Sequence, residues 1–372
     1  MSKIDTYTEL AEHLTGSDGW LDYVPENGAF QEILKEIFNE QEARALLHVP
    51  LTTVPLKLVP LTEIASRGKF RGEELEKILD DIAARGYLFS GMTKMGEKGY
   101  AHLRWGYGFS QIFYWRGDKS DRVKRLAELE KDRELVKSMR TIAAPGEDAM
   151  KAWRYIPVTA SFEPQWQSVF PTETIEKVVG NAEKFALAHC PCRIKYELYN
   201  GENCGHSTEV CLKLDELAEH LINTGHAGEI SREEALQVIQ KANKEGLVHF
   251  TENAVEIKHI CNCCGCACWN VRPIKQRKIP RDAIMAVYFI RETDKEKCNG
   301  CGACVKICPV DAVAVNGEKA KVDVDWCIGC GVCALKCKQE AIKILEREDK
   351  PLQAENLQEL YTKIGIQRWK NQ

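Results

Sequence analysis

The chain has 372 residues, roughly two to three times an ordinary domain, so several modules are expected rather than one core. Hydrophobic residues make up 44% and charged residues 28%, a composition that excludes a disordered or fibrous protein. The net charge of −4 gives no overall attraction to nucleic acid or an anionic membrane, and the longest apolar run, Ala283 to Ile290, is far shorter than the roughly 20 residues of a spanning helix. With no apolar stretch behind MSKIDTYTEL, the reading is a cytoplasmic protein without membrane insertion.

In chain order, residues 1–28 form a polar, turn-rich segment. Ala29 to His48 carries Phe30, Ile33, Leu34, Ile37 and Phe38 at helical spacing and predicts one amphipathic helix. Val54 to Val59, among Pro50, Pro55 and Pro60, predicts an extended piece, because proline is excluded from helix interiors. Thr62 caps a short helix at Glu63 to Ser66. A longer one runs from about Gly72 to Ala84, with Leu75, Ile78, Leu79 and Ile82 on one face, and Gly86 stops it. Tyr87 to Trp105 reads as a hairpin about Met95 to Gly99. Helix, short helix, helix and hairpin resemble a winged helix-turn-helix domain, placed at 29–115. Its would-be recognition helix, Arg71 to Arg85, has three basic residues (Arg71, Lys77, Arg85) against five acidic ones (Glu73, Glu74, Glu76, Asp80, Asp81). That net −2 repels phosphate, so DNA is not the expected partner and the domain reads as a structural or protein-docking unit.

Residues 116–173 read as a helical and aromatic linker. Its charged run predicts a solvated helix, and Trp153, Tyr155, Phe162, Trp166 and Phe170 predict packing anchors. A cysteine-rich domain at 174–290, read as mainly helical, opens with a helix from Thr174 to His189. Further helices are expected at Asp215 to Asn223 and Ser231 to Glu245, the second with Ser231 and Glu234 at capping-box spacing. The phrase EEALQVIQKANKEGLVHF echoes EELEKILDDIAARGYLF as a shared helix-then-edge pattern. Residues 291–346 and a helical tail at 347–372 complete an α+β multidomain reading.

All 17 cysteines fall between Cys190 and Cys337. In a reducing cytosol, thiols clustered in this way are metal ligands or redox groups more often than disulfides. Cys298, Cys301, Cys304 and Cys308-Pro309 are followed by Cys327, Cys330, Cys333 and Cys337, two C-x2-C-x2-C-x3-C runs. Three thiolates at this spacing wrap one face of a [4Fe-4S] cube, and the fourth points to the other cube. Cys298, Cys301, Cys304 and Cys337 are thus assigned to one cluster, and Cys327, Cys330, Cys333 and Cys308 to the other. Gly300, Gly302, Gly329 and Gly331 leave room for the backbone to close on sulfide. The segment from about Arg291 to Leu345 resembles bacterial two-cluster ferredoxins, a pseudo-symmetric pair of hairpins with strand pieces at Val313 to Val315 and Ile342 to Ile344. Lys338 stands where that pattern has proline, which loosens the turn without removing a ligand. Paired C-x2-C units would suit zinc better than these runs do.

Nine cysteines remain: Cys190, Cys192, Cys204 and Cys211, then Cys261, Cys263, Cys264, Cys266 and Cys268. They would supply one cluster assembled across both segments, two cubanes with one thiol to spare, or, ranked last, a zinc site. His189, His206, His220, His226 and His259 read as hydrogen-bond donors or surface residues rather than ligands, and Arg193 as a donor to cluster sulfur. The arrangement HCPCR, a C-x6-C pair, ICNCCGC and a two-cluster ferredoxin resembles iron-sulfur proteins of anaerobic bacteria and archaea with an N-terminal winged helix. That resemblance implies electron transfer and little more; the leading reading is an electron-transfer protein or oxidoreductase subunit that passes single electrons between a soluble donor and a partner redox enzyme. A redox-sensing regulator and a reductase or activase acting at an under-ligated central cluster are the alternatives. No GxGxxG after a strand and no GxxxxGK[ST] is found, so no dinucleotide or ATP site is expected.

Overall fold

A capping box breaks the helix expected over 29–48 in two. The computed structural model describes residues 5–15, 28–68, 70–104, 107–130, 150–158, 175–349 and 351–370. Its first helix, α1 (Thr6–Thr15), buries Leu10, Ala11 and Leu14 within the segment read as turn-rich. Next come α2 (Ala29–Ile37) and α3 (Glu40–Leu46), separated by an extended Phe38 with φ −126° and ψ 140°. Asn39 Oδ1 accepts the Glu42 N–H at 2.9 Å, and the Glu42 carboxylate accepts the Asn39 N–H at 2.9 Å. Satisfying these free donors favours a new helix start, and apolar periodicity running through Phe38 conceals it.

The extended piece shrinks to β1 (Val59–Pro60), which leads into α4 (Leu61–Ser66) and α5 (Gly72–Ala84). The hairpin β2 (Leu88–Met92) and β3 (Lys98–His102) completes a sheet ordered β1-β3-β2. Part of the acidic surface of α5 is used internally. Lys98 Nζ reaches Glu76 at 2.9 Å and Asp80 at 2.6 Å, and the Tyr100 hydroxyl donates to Asp80 at 2.8 Å.

Beyond α6 (Asp121–Leu129), the charged run at 131–149 lies outside the described residues, as do Phe162, Trp166 and Phe170. Trp153 and Tyr155 are buried on β4 (Trp153–Ile156). The helix expected over 174–189 stops as α7 (Ile175–Gly180), and β5 (Phe185–His189) is a strand. The central region continues as α8 (Pro191–Asn200), β6 (Glu209–Leu214), α9 (Asp215–Asn223), β7 (Gly228–Ile230) and α10 (Arg232–Lys244). Then follow β8 (Val248–Glu252), β9 (His259–Cys263), α11 (Val271–Lys275) and β10 (Met285–Ala286).

The helices of this region flank a sheet that the mainly helical reading does not anticipate. The frame of the region is a seven-stranded sheet, β10-β4-β8-β9-β6-β5-β7, antiparallel except for β10 with β4. Strands of two to six residues are too short to show a period, and Cys261 and Cys263 interrupt the apolar signal of β9. The two echoing phrases both fold as a helix followed by a strand, α5 into β2 and α10 into β8.

At the C-terminus β11 (Phe289–Thr293) pairs antiparallel with β14 (Ile342–Glu346), enclosing the hairpin β12 (Val313–Asn316) and β13 (Lys319–Val322). A short helix, α12 (Ala303–Ile307), and a 3-10 turn at Ala334–Lys336 occupy equivalent places in the two halves. The last helix, α13 (Leu357–Lys370), returns to the segment that follows β3, where the Tyr361 and Tyr107 hydroxyls lie 2.8 Å apart. One buried apolar cluster runs from Leu10 to Ile364, so the expected modules share a core at their seams. Among the described residues no helix is long and apolar enough to cross a membrane.

Candidate metal centres

The C-terminal cysteines line two cavities of nearly equal size. One, with ≈ 330 Å³ of empty space, is bounded by Cys298, Cys301, Cys304 and Cys337; the other, with ≈ 340 Å³, by Cys308, Cys327, Cys330 and Cys333. Each short helical turn ends at the fourth cysteine of its motif and delivers it to the opposite trio. The halves match in detail. Cys308 Sγ accepts the Ala312 N–H at 3.2 Å and Cys337 Sγ the Ala341 N–H at 3.3 Å, while Asp311 and Glu340 sit at φ 51° and 48°. The Cys337 turn closes without proline, through the Glu340 N–H to the Cys337 carbonyl at 3.1 Å. Gly329 has no substitute, since a Cβ there would lie 2.0 Å from the Phe289 carbonyl oxygen.

Arg291, on β11, lines both cavities and is 2% exposed. Its Nη2 points to Cys304 Sγ at 3.6 Å, and its Nε and Nη1 have no partner. A buried cation with two free donors is costly unless anionic acceptors lie beside it. Two cavities lined by cysteine sulfurs, which become thiolates when they bind metal, would supply that requirement, so the residues present fit iron-sulfur clusters. Arg291 was not singled out from sequence; its only signal is a basic residue on the strand entering the first motif.

In the central region β6 and β9 pair and bring distant cysteines together. Cys204, Cys264 and Cys266 have their sulfurs within 4.8 Å of one another, with Cys204 and Cys264 at 4.0 Å. The other six influence one another's titration in series, Cys190 with Cys192, Cys192 with Cys268, Cys268 with Cys263, Cys263 with Cys261 and Cys261 with Cys211. Hydrogen bonds from Cys204 and Cys266, together with the Arg193 guanidinium, hold the Cys264 thiol well below its ordinary range. A thiol biased to thiolate is the ligand form.

Arg193 is buried, donating to the Ser207 carbonyl at 2.8 Å and the Asn262 carbonyl at 2.9 Å while its Nε stays unpartnered. His259 is fixed by Glu252 at 3.0 Å and donates to the Cys261 sulfur. His189 meets Thr208 at 3.0 Å, His226 meets Thr224 at 3.0 Å, His206 faces Glu245 at 4.0 Å, and His220 packs against Phe89. Among the described residues no histidine joins the three-thiol group.

The central and C-terminal regions dock backbone to backbone. A Cβ on Gly265, in the middle of the CNCCGC stretch, would lie 2.1 Å from the Pro309 carbonyl oxygen, a contact only glycine allows. Arg277 donates to the Val310 carbonyl at 2.7 Å and the Asp311 carbonyl at 2.9 Å and covers the Trp326 ring at 4.4 Å. Arg281 donates to the Cys327 carbonyl at 2.6 Å, and the Val158 N–H to the Cys330 carbonyl at 3.2 Å. Gly265→Ala is expected to cost about 1–3 kcal/mol, the range for forcing atoms into a packed site. Thermal unfolding monitored by circular dichroism checks it, and an unchanged midpoint would show that the contact is slack.

Comparison with known proteins agrees with the C-terminal geometry. Residues 290–338 match the 4Fe-4S dicluster domain. The chain is accordingly an iron-sulfur protein with a ferredoxin domain near its C-terminus, and the chemistry of that domain is single-electron transfer. A curated relative from Methanosarcina acetivorans, one of the subunits of an ion-translocating oxidoreductase complex, is 39% identical over 61 residues. The match covers 16% of this chain and about a fifth (20%) of that protein's length. No solved structure matches the chain.

Proposed function

We propose that the chain relays single electrons between a soluble donor and a partner redox complex, through two C-terminal [4Fe-4S] clusters and at least one further cluster held by the central six-thiol set. The observation that carries this reading is the docking of cysteine-bearing segments: Gly265 lies against Pro309, next to Cys308, and Arg281 against Cys327. The Gly265 contact brings the central cysteine knot to the wall of the second ferredoxin cavity, and the Arg281 side chain ties the segment after the knot to the same wall. Bound clusters would supply one-electron redox capacity. The protein's own residues hold and insulate them: Cys298, Cys301, Cys304 and Cys337 on one side, Cys308, Cys327, Cys330 and Cys333 on the other, with Arg291 between. The Methanosarcina relative, a subunit of an ion-translocating oxidoreductase complex, supports a redox complex as the partner. Reduction of an artificial one-electron acceptor by chemically reduced protein tests the relay. Gly265→Ala protein that transfers as fast as wild type would overturn the route through this contact.

Arg291→Met is expected to lower the reduction potentials of both C-terminal centres. Reduction adds negative charge, and a buried cation favours the more negative state. An effect of about 1–2 kcal/mol corresponds to a shift on the order of 50–100 mV for a one-electron couple. Redox titration followed by EPR measures it, and potentials that stay put would remove Arg291 from this role.

A different occupant suits the Cys204, Cys264 and Cys266 group. Thiolates around one tetrahedral ion stand about 3.8 Å apart, given metal–sulfur bonds of about 2.3 Å, whereas a cube of separated irons spreads them farther. The 4.0 Å between Cys204 and Cys264 favours a single divalent ion such as zinc.

The three-stranded sheet with α3 to α5 is proposed as a winged-helix-like unit used for packing rather than DNA binding. Supporting this, α5 engages Lys98 and Tyr100 with its acidic residues, and Phe89 packs on His220 of the central region. Anisotropy titration of the full chain with duplex DNA at low salt should show weak binding at best, because phosphate neutralisation supplies most non-specific affinity. A tight, steeply salt-dependent complex would instead promote a redox-sensing regulator.

A further inference from the structure

A second kind of cavity opens beside the six-thiol set. It spans ≈ 1160 Å³ free of protein atoms, its solvent-open mouth included, more than three times the ≈ 330 and ≈ 340 Å³ of the two ferredoxin cavities on the same measure. A cluster of the size those cavities suit would leave most of it open. Part of its lining is sulfur, from Cys190, Cys192, Cys211, Cys261 and Cys263, and part is aromatic and cationic, including Trp115, Trp153, Trp269, Tyr196 and Lys213.

Lys213 stands two residues after Cys211 on β6, so strand alternation sends both side chains to one face. It is 2% exposed, its ammonium lies 4.4 Å from the centre of the Trp115 ring, and among the described residues no carboxylate pairs with it. Trp115 Nε1 is also buried without a hydrogen-bond partner. Lys195, by contrast, is taken by Glu130 at 2.6 Å, and Arg272 lies over the Tyr196 ring at 5.9 Å. A lysine ammonium with no carboxylate partner among the described residues and a buried indole N–H without an acceptor, on the same cavity, call for an anion there. The surrounding rings call for a flat one, since planar faces bury area against aromatics at little conformational cost.

We propose that this cavity binds an aryl or conjugated carboxylate, its carboxylate on Lys213 and Trp115 Nε1 and its plane among the aromatic rings, next to the sulfur wall. The redox role of such a ligand rests on the six-thiol set holding a cluster; its binding does not. The competing account is that Lys213 only balances thiolate charge, Cys211 being its neighbour on the strand.

Anaerobic titration calorimetry of the full, metal-loaded chain decides between them. The probes are benzoate, trans-cinnamate and 2-naphthoate, with their amides as uncharged controls and cyclohexanecarboxylate as a non-planar one. At least one acid should bind, with its amide and the non-planar acid at least about tenfold weaker, the loss expected when a charge-assisted contact or its planar fit is removed. Lys213→Met should lose a similar factor and Trp115→Phe a smaller one, with iron and sulfide per chain unchanged. The proposal is overturned if no acid binds, if the amide binds equally well, or if Lys213→Met leaves affinity intact. Should Lys213→Met also lose iron, Trp115→Phe decides, because it keeps the ring and removes only the N–H; unaltered affinity there overturns the proposal. Protein that binds the acids yet contains no central iron supports the cavity and fails only the cluster reading.

Discussion

Cys337→Ala is expected to remove about four irons per chain and the signal of one C-terminal centre while sparing the other. The cavity lined by Cys298, Cys301 and Cys304 takes its fourth sulfur from Cys337, which sits at the end of the opposite motif. Its loss should therefore damage the centre encoded by the first motif, not the one encoded beside it. Cys308→Ala should do the reverse, since Cys308 lines the cavity of Cys327, Cys330 and Cys333. Both variants should also melt earlier than wild type, because each sulfur ties one half of the pseudo-symmetric module to the other. Iron and sulfide analysis with EPR of the reduced variants reads the result. If Cys337→Ala instead destroyed the Cys327, Cys330 and Cys333 centre, the crossed arrangement would be refuted.

Cys263→Ala and Cys266→Ala should lose different metals. Wild type is expected to carry about twelve irons, four for each of three cubes, and about one zinc. Cys263, inside the six-thiol chain, should lose about four irons when replaced. Cys266, within the close trio, should lose zinc and keep its iron. Elemental analysis of anaerobically purified protein measures both. Eight irons in wild type with one or two zinc would sink the third cluster and leave the central cysteines as structural zinc ligands, whereas iron lost from both variants would merge the nine thiols into one centre.

Much of the local structure was legible in the sequence. The Ser231 capping box forms, with the Glu234 N–H bonded to Ser231 Oγ at 3.1 Å and the Ser231 N–H to Glu234 at 2.7 Å. Helices α5, α9 and α10 begin and end within a residue or two of expectation because caps and apolar stripes are short-range signals. The same short range explains the misses. A continuous stripe across Phe38 conceals the restart at Asn39, and β5 reads as part of a helix because an apolar run of five residues has no period of its own.

The spacing of Cys298 to Cys308 and Cys327 to Cys337 by itself determined that this chain carries a two-cluster ferredoxin domain. Ligand spacing within one loop is a matter of local chain geometry, so the residue types and their intervals suffice. Tertiary structure alone decided the rest of the site. Cys190, Cys204, Cys211 and Cys261 to Cys268 separate into a trio and a chain of six only when β6 registers against β9, pairing Leu212 with Ile260. Arg291 between two cavities, Gly265 against Pro309, and Lys213 facing an aromatic cavity likewise depend on which surfaces meet. Sequence intervals do not encode that, because the free energy of such contacts arises only after distant segments have paired and excluded water.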